Sequence, residues 1–155
     1  GIAQIRQDIA AWRATGAAIS WPYWLNLLAD TYAKMAHAGE GLAVLAEALA
    51  CVDNTGERYA EAELHRLHGE LLLQQTPPDA LQAESCFRRA LAIARRQEAK
   101  SWELRAATSL SGLWQQHNKQ AEARALLAPI YGWFTEGFDT ADLQDAKVLL
   151  EELGD

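Results

Sequence analysis

Two cysteines, Cys51 and Cys86, are all that this 155-residue chain contains. They are too few for the disulfide framework of a small secreted module and lack metal-ligand spacing, so both are expected as small core residues in a reduced, cytoplasmic setting. Proline is scarce, and its four copies fall near expected helix boundaries or turns. Strand-like alternation is missing altogether, which leaves an all-α chain. No apolar run reaches the roughly 18 to 20 residues of a membrane span, and no basic stretch followed by an apolar run opens the sequence. Basic residues are outnumbered, 14 against 21 acids, and the net charge of -7 repels nucleic acid and anionic membrane. No glycine-rich phosphate loop ending in Lys-Ser or Lys-Thr is present. A nucleophilic serine needs a base and an oxyanion site, and Ser109 and Ser111 lie on an expected regular helix with neither specified. No catalytic residue, cofactor site or metal site is expected.

What the chain does contain is internal repetition. Gly1 to Gly16 recurs as Gly41 to Gly56, with Ala3/Ala43, Ile5/Leu45, Ile9/Leu49, Ala10/Ala50 and Thr15/Thr55 in step. A looser third copy runs through Ala83, Phe87, Ala90 and Leu91. Such a period is the signature of stacked helical units. Apolar spacing predicts helices at Ile2–Ala14, Pro22–Ala36, Glu40–Asp53, Tyr59–Gln74, Ala80–Gln97, Trp102–His117, Gln120–Trp133 and Ala141–Leu153. Ser20 is the expected N-cap of the second of these, and Asp139 or Thr140 of the last; Gly39, Gly56 and Thr76–Asp79 are expected to make turns. The domain reading is one array over 1–155, a fragment of a larger protein. It comprises the second helix of a cut repeat (1–16), pairs at 20–56, 57–99 and 101–134, and a C-terminal capping helix at 139–153.

Small residues carry the packing argument. Ala29, Gly69 and Ser111 fall where the second helix of a pair must come close, and Gly41, Ala83 and Ala123 answer from that second helix. Tyr32, Leu72 and Trp114 then fill the layer between pairs, as do Leu45, Phe87 and Leu127. One pair cannot bury both of its apolar faces, so neighbouring pairs must stack.

This spacing resembles the tetratricopeptide repeat. Leu28, Ala29, Tyr32, Gly41, Leu45 and Ala48 fit one unit, Gly69, Leu72, Ala83, Phe87 and Ala90 a second, and Leu110, Ser111, Trp114, Ala123 and Leu127 a third, in which Ile130 replaces the second alanine. The strings GERYAEAELHRLHGELLL (Gly56 to Leu73) and YGWFTEGFDTADL (Tyr131 to Leu143) are similar to the C-terminal ends of bacterial predicted ATPases that carry adenylate/guanylate cyclase or winged-helix DNA-binding domains. The resemblance implies an alpha-alpha superhelix of antiparallel pairs in a cytoplasmic regulatory protein, with any catalysis in other domains.

It also implies a groove lined by the first helix of each pair: Tyr23, Asn26, Asp30 and Lys34, then Glu63, Arg66, Glu70 and Gln74, then Arg105, Thr108, Gly112 and Gln116. The expected occupant is a protein or peptide, including another domain of the same parent, and Asp30 and Glu70 disfavour a C-terminal carboxylate. The alternative is an effector-sensing module with an apolar pocket rimmed by Arg66 or Arg105. Neither nucleic acid nor membrane is an expected partner. Arg88, Arg89, Arg95, Arg96, Lys100 and Arg105 form a basic stripe whose simplest reading is a solvated helix flank. Glu61, His65 and His68 share a helix face, but their place beside Gly69 favours hydrogen bonding over metal ligation. Tyr131, Trp133, Phe134 and Phe138 are expected to plug the end of the array, whereas Trp21, Tyr23 and Trp24 stand open between plug and partner site. A cut first unit is further expected to self-associate through Ile2, Ile5 and Ile9.

Overall fold

The computed structural model describes residues 3, 4, 7, 8, 10, 11, 21–55, 58 and 60–154, with the backbone alone at 21–24 and 55. The described residues before Trp21 are helical, and the rest form seven helices: α1 (Trp21–Lys34), α2 (Ala38–Thr55), α3 (Glu61–Gln74), α4 (Ala80–Arg96), α5 (Lys100–Gln116), α6 (Gln120–Gly132) and α7 (Ala141–Leu153). No strand occurs among the described residues. The ends expected from apolar spacing for these seven agree within two residues.

Three of the connections close in the same way. His37 N–H donates to the Tyr32 carbonyl (2.9 Å), Ala99 N–H to Ala94 (2.9 Å) and Lys119 N–H to Trp114 (2.8 Å), the six-residue loop that satisfies a helix's last carbonyls. The residue before each donor holds a left-handed backbone: Ala36 at φ 58°, Glu98 at 55° and Asn118 at 61°. The first of these turns was expected at Gly39, which instead lies inside α2. Asp79 caps α4 by accepting from Gln82 N–H at 3.1 Å. Thr140 takes the N-cap position of α7, but its hydroxyl donates back to the Gly137 carbonyl (2.7 Å) and caps nothing. Ser20 and Gly56 lie outside the described residues.

Each helix packs on the next, and α1 also touches α3, α3 touches α5, and α5 touches α7. No such contact joins α2 to α4 or α4 to α6. The odd-numbered helices therefore lie side by side as one face while the even-numbered ones splay apart behind them. The result is an all-α, sequentially packed array consistent with a superhelical arrangement.

Small residues set the approach of paired helices. Ala29, Ser111, Ala48, Ala83, Ala90 and Ala123 are all fully buried. A methyl group placed on Gly69 would stand 2.5 Å from Phe87 Cε1 and 3.0 Å from the Ala83 carbonyl oxygen. One on Gly41 would meet Tyr32 Cβ of its own pair at 3.3 Å and, from the next pair, the Leu71 methyls at 2.9 and 3.0 Å. Ser111 satisfies its buried hydroxyl by donating to the Ala123 carbonyl on α6, at 3.1 Å. Around these crossings Tyr32, Leu45, Phe87 and Leu127 are almost wholly buried. Cys86 joins the same core and Cys51 is half-buried, both as free thiols.

Candidate functional site

On the face made by the odd-numbered helices, α3, α5 and α7 enclose a half-open cleft of about 290 Å³. Leu73 and Leu113 contribute its apolar lining. Its polar walls are Arg66 and Glu70 from α3, Arg105, Thr108, Ser109, Gly112 and Gln116 from α5, and Asp142 and Asp145 from α7.

The centre of the site is an ion-pair network around Glu63, which is only 4% exposed. Arg66, one turn along α3, grips it through two hydrogen bonds, Nε to Oε2 at 2.9 Å and Nη2 to Oε1 at 2.6 Å. Arg105 reaches across from α5, with Nη1 2.7 Å from the same Oε1 and Nε 3.2 Å from Asp142 Oδ1. Ser109 donates to Glu70 Oε1 at 2.7 Å, and Arg66 Nη1 donates to Ser109 Oγ at 3.3 Å. A carboxylate this buried is tolerated only because cations and donors surround it.

The electrostatics follow from those contacts. Burial by itself lowers the Arg66 pKa, but Glu63, Glu70 and Asp30 outweigh it and hold the guanidinium above its ordinary value. Burial pushes the Asp142 carboxyl up, Glu63 and Asp145 add to this, and Arg105 and Arg66 oppose it. Both arginines are thus spent on internal carboxylates. Asp145 has no ion-pair partner among the described residues, so the outward charge of the rim is acidic.

The structure brings six of the twelve expected groove residues into this cleft: Arg66, Glu70, Arg105, Thr108, Gly112 and Gln116. Glu63 lies beneath them as the hub of the network, its carboxylate turned to Arg66 and Arg105. Asp30 pairs with Lys34 at 2.9 Å on α1, and Gln74 donates to the Ala33 carbonyl at 2.9 Å, tying α3 to α1. Asn26 is half-buried, and its Oδ1 has no hydrogen-bond partner. The side chain of Tyr23 lies outside the described residues, as do those of Trp21 and Trp24 and all of Ile2, Ile5 and Ile9. Ser109, Leu73, Leu113, Asp142 and Asp145 were missed as lining. For Ser109 the phase was available, since it adjoins Thr108 and Gly112 on α5; for the aspartates nothing local marks α7 as a wall.

The basic stripe resolves into two groups. Arg88 pairs with Glu84 (3.1 Å), Arg95 and Lys100 with Glu103 (3.0 and 3.3 Å), and Arg105 with Glu63. Arg89 and Arg96 make no such pair among the described residues. Trp114 does more than fill its layer: its indole N–H donates to Glu84 Oε1 at 2.8 Å, and Arg88 lies over its ring at 5.2 Å.

Tyr131 and Phe134 pack against the core as end plugs, but Trp133 is 58% exposed and Phe138 44%, so the plug expected from all four aromatics is made by two. Burial is the main reason that the His65 pKa falls from 6.5 to about 4, with Arg89 adding to the shift and Glu61 opposing it. The hydrogen bond expected of His65 does not form among the described residues. Among the described residues, no group of three His, Cys, Asp or Glu is placed to hold a metal, and no helix is long and apolar enough to cross a membrane.

No protein-family model matches the chain, and no curated protein does.

Proposed function

We propose that this chain is a non-catalytic, tetratricopeptide-like docking module of a bacterial signalling or transcriptional regulatory protein. The α3–α5–α7 cleft receives a protein segment, either an extended peptide or a helix from another domain of the same parent. The observation that carries this reading is the continuous contact of odd-numbered helices, which lines a face with polar side chains above a rigid ion-paired floor. At about 290 Å³ and half-open, the cleft sits just below the small-molecule range of roughly 300 to 1,000 Å³. That size suits one or two side chains of a longer segment.

Charge narrows the partner. With Arg66 and Arg105 neutralised from within, Asp145, Glu70 and Asp142 set the sign that an incoming segment meets. A lysine- or arginine-bearing segment is favoured, and a free carboxylate end is disfavoured. Reversing Arg66 or Arg105 would break the floor rather than probe the rim. The informative changes are Thr108→Arg and Asp145→Lys, which touch the rim alone. Partners retained by the full-length protein should bind the Asp145→Lys form at least about tenfold more weakly, most of it as faster dissociation. Unaltered binding by both variants would remove the cleft from the account.

A further inference from the structure

A separate cleft of about 430 Å³ opens on another face of α3, where α2 and α4 fail to meet. Leu49, Val52 and Ile93 give it an apolar wall, and Arg58, Arg89, Arg96 and His65 give it nitrogen donors. Its two acids are already engaged: Arg58 holds Glu61 through Nη1 and lies 3.6 Å from Asp53. Gln97 donates to the Arg58 carbonyl at 3.0 Å.

Two features of this lining point outward. Arg89 and Arg96 stand exposed two turns apart on one face of α4 with no hydrogen bond or ion pair among the described residues, although Arg88, Arg95, Lys100 and Arg105 from the same stretch all have acidic partners. His65 is 8% exposed and borders the cleft, and its ring nitrogens, which make no hydrogen bond among the described residues, are not sealed from solvent. Three nitrogen-bearing side chains with no acceptor among the described residues therefore border one cleft, where an incoming anion can accept from all of them. Planar guanidinium donors match a phosphate in geometry and charge.

We propose that this cleft binds a small phosphorylated molecule, the phosphate held by Arg89, Arg96 and a His65 N–H, and the apolar body against Leu49, Val52 and Ile93. Such a molecule touches α2 and α4, which do not touch each other. It thereby sets their separation and, through α3, the curvature of the face that carries the other cleft. This site does not depend on the docking reading and stands or falls separately.

Titration calorimetry with phenyl phosphate, inorganic phosphate and phenol tests it, with the His65 imidazole resonances followed by NMR in the same titrations. Phenyl phosphate should bind saturably and shift the His65 signals, inorganic phosphate more weakly at the same place, and phenol not at all. Arg89→Gln and Arg96→Gln are exposed changes that leave the fold intact, and each should weaken phenyl phosphate by about tenfold or more. Lys147→Gln on α7 should have no effect. Equal binding by wild type and the Arg89→Gln/Arg96→Gln double variant would overturn the site. Phenol binding as well as phenyl phosphate would overturn the role of the phosphate, and inorganic phosphate binding as tightly would overturn the role of the apolar wall.

Discussion

Arg105 and Glu63 meet at 2.7 Å across the floor of the α3–α5–α7 cleft, joining helices from successive pairs through a carboxylate that is 4% exposed. Because Arg66 clasps the same carboxylate, removing Glu63 strands two cations at once. Glu63→Ala should lower stability by about 2 to 3 kcal/mol, less than a fully buried pair because Arg105 is 33% exposed and can rehydrate. Urea unfolding checks this. A loss under about 0.5 kcal/mol would mean that the floor is not held by these ions.

Gly69 and Gly112 make opposite predictions from the same substitution. Alanine is the better helix former by about 1 kcal/mol, so Gly112→Ala, with nothing within 4 Å of the added carbon, should stabilise. Gly69→Ala must move the Phe87 ring and press on the Ala83 carbonyl, and should cost about 1 to 3 kcal/mol net. Adding Phe87→Leu should recover part of that loss in a double-mutant cycle.

The left-handed turn residues are a reserve of stability. Glu98 at φ 55° pays the Cβ clash that glycine escapes, so Glu98→Gly should raise stability by about 1 kcal/mol. Thermal unfolding should show the melting temperature rising. A fall would show that the Glu98 side chain contributes more than its backbone costs.

Acid should destabilise the fold through His65. Its folded pKa of about 4 lies below the ordinary 6.5, so the unfolded chain binds the extra proton between those values. The contribution is complete above pH 6.5 and disappears as the pH falls toward 4, amounting to a few kcal/mol at most. In phosphate-free buffer, the stability difference between wild type and His65→Leu should be constant above pH 7 and shrink in favour of the variant below pH 6. A constant difference down to pH 4.5 would show that His65 ionises freely in the folded state.

Most of the architecture was legible because it is written in short-range spacing. Ala29, Gly69 and Ser111, with their partners Gly41, Ala83 and Ala123, announce close crossings, and all six are buried. The turns were less legible: the chain bends at Ala36 in a left-handed conformation that no glycine advertises, while Gly39 sits inside a helix. The site was half legible. Phase on α3 and α5 found Arg66, Glu70, Arg105, Thr108, Gly112 and Gln116, since one helix face follows from a period of 3.6 residues. Phase says nothing of which charges cancel. That Arg105 belongs to Glu63 and Asp142 depends on how three helices meet, and this pairing leaves the rim acidic.

The docking reading turns on the face of odd-numbered helices receiving a protein segment. A photo-reactive amino acid placed at Gln116, exposed on the cleft, and in a second protein at Ala92, exposed on α4, reads this directly in the full-length protein with its bound partner. The account predicts a crosslink from position 116 to a lysine- or arginine-containing segment and none from position 92. Crosslinks from position 92 alone would contradict it.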